Sequence, residues 1–377
     1  MKLIISTEPV RYPLTGVGRY TFELINQLQK LGTIDDISYY NRLKVVRELQ
    51  PPAETAGKPS RLIPWLKKQG LLIEAFRAIN PLLQSYALRH HRDCIYHGPN
   101  FYLPAGMPRS VVTFHDISIF TCPEHHPEER IRYMRKAIQA SLKRANRIIT
   151  VSEFSRQEVA RYFNYPLDKI HATPLACGDE FHPRDVQQLQ PLLARLGLEN
   201  QQFTLYIGTI EPRKNIGTLL DAYEKLPLVL RQRYPLVLCG YKGWKSEGLH
   251  QRFQQGEAQG WLKYLGYITK EDLPLLYAAA RLFVFPSFYE GFGLPVLEAM
   301  ASGTPVVCSD ASALPEVAGD AALMCQPEDT DTMSQYLSRA LQDEPWRQQA
   351  RAAGLSRAAQ FSWQRCAQET FNVYQQV

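Results

Sequence analysis

Two successive series of short apolar runs, most of them separated by longer helical stretches, constrain this chain more than any other feature. In the first half, strand candidates run Leu3 to Thr7, Ile37 to Tyr40, Cys94 to His97, Val111 to His115, Ile148 to Ser152 and Ile170 to Pro174. In the second they run Leu205 to Gly208, Leu236 to Gly240, Tyr264 to Ile268, Leu282 to Pro286, Val306 to Ser309 and Ala322 to Cys325. Tyr20 to Leu31 and Ile131 to Arg144 are the clearest helical stretches between them. Strands alternating with helices imply parallel sheets covered on both faces, so two series predict two Rossmann-like α/β domains. Near Cys177 to Pro183 the apolar periodicity gives way to polar residues and proline. That change sets the expected division at 1–178 and 179–359.

Length and composition agree with this reading. A chain of 377 residues suits two ordinary domains, and 45% hydrophobic with 21% charged residues is that of a soluble globular protein. No run of about 18 apolar residues occurs, and the apolar run after Met1 and Lys2 is too short for a signal-peptide core. Seven scattered cysteines, with no Cys-x-x-Cys and no histidines at zinc spacing, point to a reducing cytoplasm and no structural metal. The net charge of +6 is concentrated between Arg42 and Arg92. Within that segment the stretch Ile63 to Arg77 mixes Trp65, Leu66, Leu71, Leu72 and Phe76 with Lys67, Lys68 and Arg77. Such a stretch suits an anionic membrane surface. It equally suits a helix that buries its apolar stripe and leaves its lysines in water. Nucleic acid is the weakest partner, because no recognised binding motif accompanies the charge.

The chemistry concentrates in the second half. After the apolar run Leu282 to Phe285 comes Tyr289-Glu290-Gly291-Phe292-Gly293-Leu294-Pro295, with Glu298 about a turn into the helix that Pro295 opens. The glycines free the backbone to approach a ligand, and the amides of the new helix start are offered to an anion. Glu290 and Glu298 cannot share a helix face, so they flank a pocket at a strand end. Arg213 and Lys214 follow the strand candidate at Leu205 to Gly208 and precede an amphipathic helix, where two positive charges suit a diphosphate. Asn215 reads most simply as that helix's N-cap. Gly16 and Gly18 precede the first long helix as a flexible loop, and His115 and Asp116 close another strand.

Taken together, Glu290-x7-Glu298, Pro212-Arg213-Lys214-Asn215 and Gly303-Thr304-Pro305-Val306-Val307 resemble the retaining glycosyltransferases of family 4, which have the GT-B fold. Thr15-Gly16-Val17-Gly18-Arg19-Tyr20, Thr113-Phe114-His115-Asp116 and Thr150-Val151-Ser152-Glu153-Phe154-Ser155 follow in the family's order. The resemblance implies two Rossmann-like domains facing across a cleft, with a last helix, about 360–377, returning to the first domain. It implies that Arg213 and Lys214 stabilise the departing diphosphate, with help from the loop Gly291, Phe292, Gly293 and Leu294. Glu298 is then the acid that accepts both ribose hydroxyls, and Tyr267 and Ile268 lie where the family holds the base. Glu290 lies near the donor sugar, as positioning group, electrostatic stabiliser or nucleophile, the first two being favoured. Gly16 and Gly18 face the diphosphate or the acceptor. His115 touches the donor sugar, or Asp116 orients the acceptor hydroxyl. Arg213 and Lys214 then take the place of a metal at the diphosphate, so no metal is expected. Within the family the N-terminal motifs look most like bacterial O-antigen mannosyltransferases. That implies GDP-mannose as donor, an undecaprenyl-diphosphate-linked glycan as acceptor, an α-1,3 linkage, and a cytoplasmic enzyme peripheral to the inner membrane. A UDP-hexose-dependent transferase of envelope glycan or lipid is the alternative. A membrane- or nucleic-acid-binding protein without activity would explain the basic segment but not the diphosphate set.

Overall fold

The structure is a computed structural model that describes residues 1–11, 14–49, 79–80 and 82–377. The basic stretch Lys58 to Arg77 therefore lies outside the described residues. The chain builds two sheets. The first contains β1 (Lys2–Ser6), β2 (Asp36–Asn41), β3 (Lys44–Val46), β4 (Ile95–Gly98), β5 (Ser110–Phe114), β6 (Arg147–Thr150) and β7 (Ile170–Ala172). Its order is β3-β2-β1-β4-β5-β6-β7, parallel throughout except for the β2–β3 pair. The second contains β8 (Thr204–Ile207), β9 (Leu236–Cys239), β10 (Leu262–Gly266), β11 (Leu282–Phe285), β12 (Val306–Ser309) and β13 (Ala322–Cys325). It is wholly parallel, in the order β10-β9-β8-β11-β12-β13.

Both sheets are buried on two faces. In β1, Leu3 and Ile5 join one apolar cluster while Ile4, pointing the other way, joins a second. All twelve predicted strands form. The thirteenth, β3, was not expected: a three-residue antiparallel return carries too little pattern to be read from sequence. β10 begins and ends two residues earlier than predicted, because Gly266 turns the backbone to φ 65° and stops the strand.

Four helices position the site: α1 (Gly16–Leu31), α2 (Leu294–Ala301), α3 (Glu344–Ala358) and α4 (Trp363–Tyr374). Helix α4 packs on α1 and ties itself to the first sheet through polar contacts. Tyr374 Oη lies 2.6 Å from His97 Nδ1, and Arg109 Nη2 donates to the carbonyl of Val377 at 2.7 Å. Desolvation of His97 pulls its pKa down to about 3, so the buried His97–Tyr374 pair is neutral. Among the described residues, no helix is long and apolar enough to cross a membrane.

Candidate active site

In the second sheet the strand order reverses between β8 and β11. Ligands of open parallel sheets bind in the crevice beyond the carboxyl ends of strands at such a switch point. The charged residues gather there. Pro212–Lys214 form one 3-10 turn just beyond β8, which places Arg213 and Lys214 beside the loop that leaves β11. Lys214 Nζ donates to Glu290 Oε1 at 2.6 Å. Arg213 Nη1 donates to Glu290 Oε2 at 3.1 Å and to the Tyr289 carbonyl at 2.5 Å, and its Nη2 donates to Glu211 Oε1 at 2.9 Å. All four charged groups are nearly or fully buried.

Burial alone would raise the Glu290 carboxyl, but Lys214 and Arg213 outweigh it and bring its pKa down to about 2. Burial likewise opposes the charge on Arg213, yet Glu290, Asp116 and Glu211 together lift its pKa. Asp116 belongs to the first sheet's β5–helix turn, so the two domains share one electrostatic unit. Its Oδ1 accepts from Ser118 N at 2.9 Å and Ser118 Oγ at 2.7 Å, which fixes the carboxylate's orientation.

The loop from Glu290 to α2 is held between the domains. A Cβ on Gly291 would lie 1.8 Å from the carbonyl oxygen of His115, so only glycine permits this approach. The Gly291 carbonyl accepts from Ser152 Oγ at 2.7 Å and from Ser155 Oγ at 3.3 Å. Gly293 caps α2 at φ 118°, a conformation that favours glycine, and Leu294 and Pro295 open the helix. Beside it, Glu316 accepts the Glu153 and Phe154 amides at 2.8 and 3.0 Å, a carboxylate of one domain capping a helix of the other. His115 donates Nε2–H to the Pro99 carbonyl at 2.8 Å and packs edge-on against Tyr20. Burial lowers its pKa, so it stands neutral beside the loop.

Glu298 lies on α2 and is 7% exposed. Tyr277 Oη donates to its Oε2 at 3.1 Å, and Arg19 Nη1 donates to its Oε1 at 3.3 Å. Arg19 comes from α1 and also pairs with Glu180. Desolvation raises the Glu298 carboxyl to about 7, against the opposing pull of Arg19 and Tyr277. This has a consequence for stability. A raised carboxyl pKa means that the folded protein binds the proton more tightly than the unfolded chain does. Stability therefore falls as pH rises from the ordinary value of 4.5 towards about 7. At about 1.4 kcal/mol per tenfold difference in proton affinity, the loss is on the order of 3 kcal/mol. Glu298→Gln, which keeps the shape without the charge, should raise the melting temperature at pH 8 and leave it unchanged at pH 4.5. Equal melting curves for the two proteins at both pH values would contradict the buried, proton-holding carboxyl.

Several expected residues sit differently from their sequence reading. Gly16 and Gly18 do not form a loop before α1. They occupy its first turn, where Thr15 Oγ1 caps the Gly18 amide at 3.4 Å. A Cβ on Gly16 would lie 3.9 Å from Leu294 Cδ1, so the amino ends of α1 and α2 face each other. Phe292 turns its ring into the core against Phe361. Asn215 stands at the N-cap position but with φ 56° and no capping bond. Its Nδ2 instead donates to the carbonyls of Pro286 and Pro327 at 3.0 and 2.6 Å, tying together the loops that follow β11 and β13. Tyr267 and Ile268 lie beyond β10. The Tyr267 ring stacks on Tyr241 at 4.7 Å with both rings about half exposed, and Ile268 packs on the core. Arg19 was missed as a site residue, although it lies inside a motif already singled out. Among the described residues, no group of three His, Cys, Asp or Glu side chains is placed to hold a metal ion.

With this geometry in view, comparisons with known proteins are specific. Residues 14–176 match the sequence family Glycosyltransferase Family 4, and residues 193–357 match Glycosyl transferases group 1. O-antigen chain mannosyltransferase B of Escherichia coli is 51% identical over 379 residues, covering 99% of each chain. The fold is that of WaaG, a glycosyltransferase involved in lipopolysaccharide biosynthesis (TM-score 0.72, 16% identity, 98% and 99% of the two chains). It is also that of Anabaena HepE in complex with UDP-glucose (TM-score 0.70, 16% identity, all of both chains). The chain therefore belongs to the family 4 glycosyltransferases, enzymes of the GT-B fold with two Rossmann-like domains.

Proposed function

We propose that this enzyme transfers mannose from GDP-mannose, with retention, to a lipid-linked O-antigen glycan, forming an α-1,3 linkage. The observation that carries the reading is the buried Arg213–Lys214–Glu290 cluster at the β8/β11 switch point, at the loop that leads into α2. Likeness to a mannosyltransferase of O-antigen chains over the full length supports the choice of sugar and pathway. A departing nucleoside diphosphate gathers negative charge, and fixed cations with helix-start amides lower the barrier to its departure. Arg213 and Lys214 take that role, assisted by the amides of Gly293 and Leu294. Glu298 offers two oxygens to the vicinal hydroxyls of the ribose, displacing Arg19, and the strand-end loops at Tyr241 and Tyr267 hold the base. Glu290 positions the donor sugar and stabilises the positive anomeric carbon. The leaving phosphate then takes the acceptor's proton on the same face of the ring, so that retention needs no covalent intermediate. Neutral His115 faces the donor sugar, and Asp116 orients the acceptor hydroxyl.

Incubation of the purified protein with labelled GDP-mannose and a lipid-linked acceptor tests this reading. Transfer of label, with a retained α linkage on NMR of the product, is expected. Transfer from a UDP-hexose and not from GDP-mannose would overturn the donor assignment. Because the two basic residues do the work of a metal, EDTA should leave the rate unchanged. A strict need for magnesium or manganese would contradict this.

The acceptor never leaves the bilayer, so we place the enzyme at the inner face of the cytoplasmic membrane, docked through Lys58 to Arg77. Attraction to anionic lipid fades as salt shortens the screening length, from about 10 Å at 0.1 M to about 3 Å at 1 M. Co-sedimentation with anionic vesicles should fall with salt and again in the Lys67→Glu, Lys68→Glu double variant. Wild-type sedimentation of that variant at low salt would remove these lysines from docking.

A further inference from the structure

A cavity of about 450 Å3 opens on the second domain, away from the cleft. Asn200 and Gln201 line it just before β8, Arg281 just before β11, and Pro305 just before β12. The reacting groups stand beyond the carboxyl ends of β8 and β11. A strand of four residues, about 13 Å long, therefore separates the two places. The cavity's other walls come from the linker at Pro183 and Arg184 and from α3.

Its charge is unbalanced. Arg184, Arg281, Arg347 and Arg351 line it against one carboxylate, Glu344. That carboxylate is already shared between Arg347 at 2.7 Å and Arg281 at 3.4 Å. Arg347 is 7% exposed and is held by Gln201 Oε1 at 2.7 Å and by the Arg281 carbonyl at 3.2 Å, yet its Nε has no partner. Ser302 is 2% exposed, and its hydroxyl is likewise unpartnered. So are Arg184 Nε and Asn200 Oδ1. A buried polar atom left unpaired costs about 1–3 kcal/mol, and native proteins keep few of them. Four around one cavity require an explanation. Burial and the neighbouring Arg281 charge also pull the Arg347 guanidinium below its ordinary pKa, so the cluster lacks a counter-charge.

We infer that this cavity is a second ligand site, built for a sugar-sized phosphomonoester. Guanidinium groups present paired N–H donors that match two oxygens of one phosphate, and the dianion supplies the missing charge. The Ser302 hydroxyl adds a second kind of donor. Asn200 Oδ1, an acceptor among donors, suits a hydroxyl on the ligand's organic part. The volume falls in the range of about 300–1,000 Å3 typical of small-molecule sites, well above what a bare phosphate fills. None of this depends on the identity of the donor in the cleft.

Calorimetric titration of the full chain tests the assignment, with mannose 6-phosphate, inorganic phosphate and free mannose as probes. Mannose 6-phosphate should bind at least about tenfold more tightly than inorganic phosphate, a difference of about 1.4 kcal/mol, and free mannose should not bind. Because the cleft also attracts anions, the titration is repeated in Lys214→Ala, where the affinity should persist. Arg351→Glu, an exposed change on α3, and Arg184→Gln should each weaken binding tenfold or more. Absence of binding overturns the inference. So does binding that survives both arginine variants, or that disappears in Lys214→Ala. Vesicles doped with phosphatidic acid distinguish the ligand's source: competition with mannose 6-phosphate identifies a lipid headgroup, and its absence a soluble sugar phosphate.

Discussion

Lys214→Ala and Arg213→Ala should each lower the rate of sugar transfer by about a hundredfold or more. Loss of one preorganised donor at a developing anion costs roughly 3 kcal/mol of transition-state stabilisation in other enzymes. These two residues meet the conditions for a loss of that size. Both are buried at the switch point, and both are held in place by partners independent of substrate. Arg213 is fixed by Glu290, Glu211 and the Tyr289 carbonyl. Lys214 is fixed by Glu290, with its ammonium 5.0 Å from the centre of the Phe285 ring. Because Arg213 makes more structural bonds, its loss should also reduce stability, so both rates are compared at a temperature where circular dichroism shows each variant folded. Wild-type turnover in either folded variant would remove that residue from the mechanism.

Glu290→Ala should destabilise the protein without nucleotide by about 3 kcal/mol or more, the usual cost of removing one partner from a buried ion pair. The variant leaves two buried cations that face Glu211 and Asp116 alone. A nucleoside diphosphate supplies the missing negative charge at the same place. GDP should therefore raise the melting temperature of Glu290→Ala by more than that of the wild type, and sugar transfer should still be lost. An equal GDP-induced shift in the two proteins would show that the diphosphate does not meet these cations.

Much of this arrangement could be read before any coordinates, and the reasons are local. Strands buried on both faces leave unbroken apolar runs such as Leu282 to Phe285, and Pro295, two residues after Gly293, suits the first turn of a helix. Arg213, Lys214 and Glu290 follow such signals directly. What the sequence hid was long-range or subtle. The partners of Arg19, Glu180 and Glu298, lie 161 and 279 residues away, and no periodicity announces that contact. The helical start at Gly16 was concealed because glycine is a poor helix former and reads as loop. Asn215 has the residue type of an N-cap, but tertiary contacts with Pro286 and Pro327 take its side chain elsewhere. Phe292 sits between two glycines of the loop that leads into α2, and only the fold reveals that its ring points into the core.

The central claim is that this cleft binds a nucleoside diphosphate with Glu298 on the ribose and Glu290 outside the nucleotide. Calorimetric titration of GDP into the wild type, Glu298→Ala and Glu290→Ala tests it most directly. Glu298→Ala should weaken GDP at least about tenfold, a loss of about 1.4 kcal/mol, while Glu290→Ala should bind GDP at least as tightly as the wild type does. Undiminished GDP binding by Glu298→Ala, with loss of binding in Glu290→Ala, would contradict it.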